Sequence, residues 1–258
     1  MCGLAGILFT PEKRSRDDWQ DIATAFTRNL LFNEERGYEA SGVALVRTDG
    51  SIDYFKAPLP ASSLIKTADY ARVLSGMDEK TTMLLGHTRA PTKGSPYNNV
   101  NNHPLLVDHI IGVHNGHIYN DEGLTTSYEL VREAQVDSEV IFRLMSQINP
   151  HLPPGDYLAA MQRQLSELVG KFTFLAVDRL HPEHLLVTKH LNPLSLHYHA
   201  PWHALIFSSR YLFLRKEFGY AVRTERLPAG RLFLFGAGEL PKLKHMPLAE
   251  LEILPSGT

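Results

Sequence analysis

The stretch Met1-Cys2-Gly3-Leu4-Ala5-Gly6-Ile7-Leu8-Phe9-Thr10-Pro11 decides how this chain is read. Leu4 to Phe9 is a short apolar run closed by Thr10-Pro11, the pattern of a buried strand. Cys2, just before it, is the only cysteine in 258 residues. Removal of Met1 would place a thiol and a free α-amine on one residue. Such an amine titrates near pH 8 and a cysteine thiol near 8.5, so the two exchange a proton readily at neutral pH. A terminal amine that activates a side-chain nucleophile is an established device of covalent catalysis. The plainer reading, a small apolar residue packed at the start of a strand, stands beside it.

Composition bounds the rest. Hydrophobic residues make up 43% and charged residues 21%, which suits one globular domain with a full core. The formal net charge of −2 provides no field favouring nucleic acid or an anionic membrane. A single cysteine excludes an internal disulfide framework and fits a reducing compartment. No apolar run approaches the roughly 20 residues of a membrane helix, and Pro11-Glu12-Lys13-Arg14 is unlike a secretory signal. Gly3, rather than a glycine at position 2, removes the myristoylation pattern. A cytoplasmic protein is expected, with neither nucleic acid nor membrane as partner.

Apolar spacing predicts helices from about Asp17 to Leu31, Ser62 to Ser75, Ser138 to Ile148 and Pro153 to Val169. Strands are expected at 41–46, 51–56, 83–87, 105–107, 110–114, 172–177, 184–188, 196–199, 204–208 and 231–235. Helices and hairpins in alternating groups point to an α+β fold with mainly antiparallel sheets. The core is expected over about residues 2 to 236, with a peripheral tail beyond Gly236.

Three further segments carry candidate chemistry. Thr88 to His103 holds two prolines, Gly94 and four asparagines, the composition of a loop at a strand end. Within it Arg89 can grip a carboxylate with two prongs, although a strand-end arginine also serves as an ordinary ion-pair partner. Asn115-Gly116 is a hairpin-corner dipeptide, and equally a side-chain amide beside a backbone N–H, the composition of an oxyanion hole. Asp137 precedes a helix, as a cap or as the partner of a substrate ammonium. Thiol, amine, oxyanion donors and two opposed clamps form a parts list for acyl transfer on an amino acid with a side-chain amide. Glutamine is such a molecule.

At these residues the sequence resembles the class II, amino-terminal-nucleophile glutamine amidotransferases. The start Cys2-Gly3-Leu4-Ala5-Gly6-Ile7, the stretch Arg36-Gly37-Tyr38-Glu39-Ala40-Ser41-Gly42, Gly86-His87-Thr88-Arg89, Asn102-His103-Pro104, His114-Asn115-Gly116 and Asp137-Ser138-Glu139-Val140-Ile141 are similar to that family's motifs, in the same order. Ile118-Tyr119-Asn120 is more like the asparagine synthetase version, and the rest more like the glutaminase domain of glucosamine-6-phosphate synthase. The resemblance implies a four-layer αββα sandwich of two antiparallel sheets between helices. It implies Cys2 as nucleophile with its α-amine as base, Asn115 and the Gly116 N–H as oxyanion donors, Arg89 on the substrate carboxylate and Asp137 on its ammonium. Thr92 is retained as a polar substrate contact. No cofactor or metal is implied.

The family's HTRWATHG becomes His87-Thr88-Arg89-Ala90-Pro91-Thr92-Lys93-Gly94, with Ala90 for a tryptophan that covers the substrate and Lys93 for a histidine. A single domain over 1–258 leaves no room for a synthase domain, and no Gly-rich phosphate loop is present. An ammonia acceptor on a separate chain is therefore expected, or a free-standing glutaminase. Rival readings are a metallohydrolase using His87, His103, His114 and His117, a non-catalytic module that binds glutamine or a partner, and a hydrolase of another γ-glutamyl or linear amide.

Overall fold

A computed structural model describes residues 1–220, 222 and 224–254. The first strands are β1 (Gly3–Phe9), β2 (Ala40–Arg47), β3 (Ile52–Ala57), β4 (Thr81–Arg89), β5 (Leu105–Val107) and β6 (Ile110–Ile118). They are followed by β7 (Gly170–Asp178), β8 (His184–His190), β9 (Ser195–His199), β10 (Ala204–Ser208), β11 (Glu225–Arg226), β12 (Arg231–Gly236) and β13 (Ala249–Glu252). The helices are α1 (Arg16–Asn33), α2 (Ala61–Leu64), α3 (Ala68–Ser75), α4 (Asp121–Ser127), α5 (Ser138–Ser146), α6 (Pro154–Leu165), α7 (Tyr211–Phe218) and α8 (Leu240–Leu243).

The strands form two antiparallel sheets, ordered β11-β9-β10-β1-β4-β2-β3 and β13-β12-β8-β7-β6-β5. The two-residue period of β1 explains why it sits at the centre of the first sheet. Leu4 and Leu8 point between the sheets, where they meet Ile111, Val113, Leu175 and Val187. Ala5, Ile7 and Phe9 point outward against Ile22, Phe26 and Leu30 of α1. The outer face of the second sheet is covered in the same way by Ile141, Phe142, Met145, Met161 and Leu165 of α5 and α6. The result is the expected four-layer αββα sandwich, and β1 is buried on both faces.

Local chemistry accounts for where the structure departs from expectation. The predicted helix over 62–75 is two helices, because Thr67 caps the second: its hydroxyl donates to Leu64 O and accepts from Tyr70 N. Asn115-Gly116 is no hairpin corner. Both residues lie within β6, opposite Thr173 and Phe172 of β7. Beyond Gly236, the described residues 237–254 are not peripheral, and the last four residues of the expected tail, 255–258, lie outside the described residues. Ala237, Leu240 and Ile253 are buried, and β13 pairs with β12 to complete the second sheet. No described helix is long and apolar enough to cross a membrane.

Candidate active site

Cys2 lies where the central strand β1 emerges at one end of the sandwich, and the neighbouring sequence fixes it there. Arg36 Nε donates to Cys2 O at 2.9 Å. Gly3 pairs with Thr88 of β4, whose hydroxyl donates to Asn33 O at 2.7 Å. Gly37 packs so tightly on the Arg89 backbone that a Cβ would stand 2.3 Å from its carbonyl carbon. Thus the Arg36–Gly42 stretch seats both Cys2 and Arg89. Burial pushes the Cys2 thiol above its ordinary value, and the positive amino terminus and Arg89 act against that shift. Its Sγ faces Ala90 O at 3.7 Å.

Arg89 ends β4 and is itself buried. Its Nη1 donates to Asn102 Oδ1 at 2.6 Å, and its Nη2 to Lys93 O and Gly94 O at 2.8 Å each. The loop after β4 therefore wraps the guanidinium and fixes its plane. Nε makes no hydrogen bond among the described residues and is left as a charged donor for a carboxylate.

Asp137 occupies the N-cap position of α5 without capping it. Its Oδ2 instead accepts from Ile118 N at 2.7 Å, with His117 Nδ1 at 3.6 Å. The helix leaves that carboxylate, 3% exposed, turned toward β6 and the site.

Cys2, Arg89, Thr92, Gly116 and Asp137 line one pocket, together with His103, His114 and Ser138. Asn115 is set apart from these: its side chain is buried and does not form the wall. By the period of β6 it projects to the same inter-sheet side as Val113. Its amide nitrogen and oxygen both lack a hydrogen-bond partner, so two strong polar atoms wait unsatisfied near the pocket. Gly116 has φ +154°, and a Cβ there would lie 1.9 Å from Lys171 O. Only glycine brings its backbone N–H to this spot.

Three buried histidines stand beneath the pocket. His87 Nε2 lies 2.9 Å from His114 O, His114 Nδ1 lies 2.7 Å from Ser138 Oγ, and the His103 ring stacks on His87 at 4.3 Å. Burial lowers His87 to about 3 and His114 to about 4, and holds His103 well below its ordinary value. All three are neutral at neutral pH. Among the described residues, no group of three or more His, Cys, Asp or Glu side chains is placed to hold a metal ion.

Sequence reasoning passed over the supports of the site. Lys93, standing where the resembled motif has histidine, also lines the pocket, and its ammonium donates to Asp121 Oδ2 at 2.7 Å and Glu122 Oε1 at 3.3 Å. Lys56, on the edge strand β3, reaches Asn102 O at 2.7 Å and Pro104 O at 3.0 Å, behind the residue that holds Arg89. No local motif announces either contact, although a lysine on a half-buried strand was a signal to follow.

With this geometry in place, comparison with known proteins gives a consistent result. Residues 97–216 match the family model described as a glutamine amidotransferase domain. The chain is 30% identical over 197 residues to the glutamine--fructose-6-phosphate aminotransferase (isomerizing) of Aliivibrio fischeri, covering 75% of this chain and 29% of that protein. The Escherichia coli K12 enzyme of the same name is 30% identical over 200 residues, again with 29% of its length covered. The chain thus spans 29% of the length of these curated relatives. Among solved structures, the glutamine phosphoribosylpyrophosphate amidotransferase of B. subtilis superposes with TM-score 0.71 at 18% identity, covering 98% of this chain and 49% of that one. A glutamine aminotransferase class-II domain protein of Silicibacter pomeroyi gives TM-score 0.56 at 14% identity, covering 99% of this chain and all of that one. At these identities the two structures speak to the fold alone.

Proposed function

The chain belongs to the class II glutamine amidotransferases, and from that premise we propose that it hydrolyses the side-chain amide of glutamine at Cys2. The observation that carries this reading is the convergence on one pocket of the one thiol, a buried arginine with its Nε donor free, and an aspartate that leaves its helix uncapped. Arg89 and Asp137 bear opposite charges, as the two ends of an amino-acid head group require.

The chemistry follows from the parts. With Met1 removed, the Cys2 α-amine takes the thiol proton through a water, and the sulfur attacks the amide carbon. Negative charge develops on the amide oxygen, where Asn115 Nδ2 and the Gly116 N–H donate. The unpartnered Asn115 amide gains in the transition state a bond that it lacks beforehand, which is how a donor lowers a barrier rather than merely binding. Collapse breaks the C–N bond, and the amine returns its proton to the departing ammonia. Water then attacks the γ-glutamyl thioester and releases glutamate, with the thiol regenerated. Arg89 holds the α-carboxylate, Asp137 the α-ammonium, and Thr92 adds a polar contact at the mouth.

We propose a separate ammonia-acceptor protein as partner and the cytoplasm as the compartment, where a catalytic thiol stays reduced. The test is intact mass together with ammonia release from glutamine. Loss of the Met1 mass and at least a roughly thousandfold drop in kcat for Cys2→Ala are expected. A diazoketone analogue of glutamine should add its mass to the peptide beginning at Cys2. Full activity in Cys2→Ala removes the proposal.

A further inference from the structure

Asp121 opens α4, away from the pocket, and is 5% exposed. One of its oxygens, Oδ2, receives both Lys93 Nζ at 2.7 Å and Arg132 Nη1 at 3.0 Å. Each cation leads to one substrate clamp. Lys93 belongs to the loop whose carbonyls, Lys93 O and Gly94 O, hold the Arg89 guanidinium. Arg132 Nη2 donates at 2.8 Å to Val136 O, the carbonyl immediately before Asp137. A continuous polar chain therefore runs from Arg89 through Lys93, Asp121, Arg132 and Val136 to Asp137. A neutral link runs beside it: Asn101 Oδ1 accepts from Gln135 N at 2.8 Å, and Asn101 Nδ2 donates to Gln135 Oε1 at 3.1 Å.

We infer that Asp121 is a positioning residue that sets the separation of the two clamps, Arg89 and Asp137, and thereby selects ligands that carry both an α-carboxylate and an α-ammonium. The inference rests on the functional reading above. Its physical basis is that neither clamp is held by its own strand or helix alone. Arg89 is shaped by a loop and Asp137 by an uncapped helix start, and misplacement on the ångström scale weakens a bound pose steeply. A buried carboxylate shared by two cations forms charge-assisted bonds roughly twice as strong as neutral ones. Burial would raise the Asp121 carboxyl, and the bonds from Lys93 and Arg132 outweigh it to hold the group below its usual range. Lys93 is raised, chiefly by its bond to Asp121. Position 93 thus contributes a brace between the loop and Asp121.

The experiment compares the full chain with Asp121→Asn, Lys93→Met and Arg132→Met. Asparagine keeps an acceptor oxygen and removes the charge, and the two methionine variants cut one arm each without emptying the site. For L-glutamine, Asp121→Asn should raise KM roughly tenfold with kcat within about threefold, because the lost effect is binding common to ground and transition states. Two ligands separate the arms, read as inhibition constants. 5-Amino-5-oxopentanoic acid lacks the α-ammonium and should be weakened chiefly by Lys93→Met. 4-Aminobutanamide lacks the α-carboxylate and should be weakened chiefly by Arg132→Met. Hydrogen exchange of the same proteins should quicken over 90–96 in Lys93→Met, over 132–136 in Arg132→Met, and over both in Asp121→Asn. Unchanged exchange in either segment of Asp121→Asn, or equal losses for both ligands in every variant, overturns the inference. Absence of glutaminase activity in the wild type overturns the functional reading alone, since exchange still decides the brace.

Discussion

Replacing His103 with phenylalanine tests the electrostatics of the site end through stability rather than activity. An unfolded imidazole titrates near 6.5. In the native state His87 stays neutral down to about 3 and His114 to about 4, and His103 stays neutral well below 6.5, in each case because burial disfavours the cation. The sign follows directly. As pH falls through 6.5, the unfolded chain binds protons that the folded chain refuses, so stability is lost toward acid. Each such histidine costs about 1.4 kcal/mol per pH unit, or about 2 kcal/mol by pH 5. His87 and His114 together therefore remove about 4 kcal/mol, a large share of a typical stability of 5–15 kcal/mol. Carboxylates titrate mostly below this window and add little above pH 5.

His103→Phe keeps the aromatic stack on His87 and deletes one proton-binding site, along with two ring nitrogens that have no partner. Urea unfolding followed by the fluorescence of Trp19 and Trp202 at pH 8, 7, 6 and 5 reads the effect. The wild type should lose more stability than His103→Phe between pH 8 and pH 5. Parallel curves for the two proteins would show that His103 accepts a proton in the folded state, and the picture of a dry, neutral histidine cluster would be wrong.

Two other substitutions probe the backbone and the loop. Gly116→Ala drives a Cβ to within 1.9 Å of Lys171 O at φ +154°, and should cost more than about 3 kcal/mol in urea unfolding or prevent soluble expression. A near-wild-type midpoint would mean that β6 and β7 have room that the geometry denies. Lys56 is lowered to about 8, first by burial and then by Arg89; His87 and His103 also face it, and Glu133, Glu139 and Arg143 line the same groove. Its ammonium is present below about 8, so the KM for glutamine should climb above that pH as its bonds to Asn102 O and Pro104 O weaken. In Lys56→Met the KM should be several-fold higher at pH 7 and flat through pH 8, and a retained alkaline rise would assign it elsewhere.

Much of this arrangement was legible in the sequence because it rests on local rules. The β1 run and the period of α1 depend on residues a few positions apart. Asn115-Gly116 was misleading as structure. The dipeptide favours a turn, yet β7 pairs along the whole of β6, and a tertiary ladder outweighs a two-residue preference. The tail misled for a related reason. Nothing in Ala249–Glu252 predicts a strand strongly, and its pairing is offered by the open edge of β12. The helices α4 and α7 were missed because seven- and eight-residue segments carry too few turns for a period to stand out. The braces of the site were hidden on a longer scale. Lys93 to Asp121 spans 28 residues, and Lys56 to Asn102 spans 46.

The loss of the lid tryptophan at position 90 can now be weighed against what holds the loop. Ala90 contributes no cover, and only its carbonyl oxygen faces Cys2 Sγ. The loop is ordered from below instead, by Arg89 to the carbonyls of Lys93 and Gly94, and from the side, by Lys93 to Asp121. An aromatic lid closes over bound substrate, whereas these contacts exist without it. On the proposed reading the site is thus organised before glutamine arrives, so little binding energy is spent on ordering the loop. On the same reading water would reach the thioester more freely, which would favour hydrolysis and weaken electrostatic stabilisation at the sulfur. Restoring the aromatic tests this balance: Ala90→Trp should slow thioester hydrolysis and lengthen the life of the acyl-enzyme, seen by mass spectrometry after rapid quench. An acyl-enzyme of unchanged lifetime would show that water reaches Cys2 by a route that position 90 does not guard.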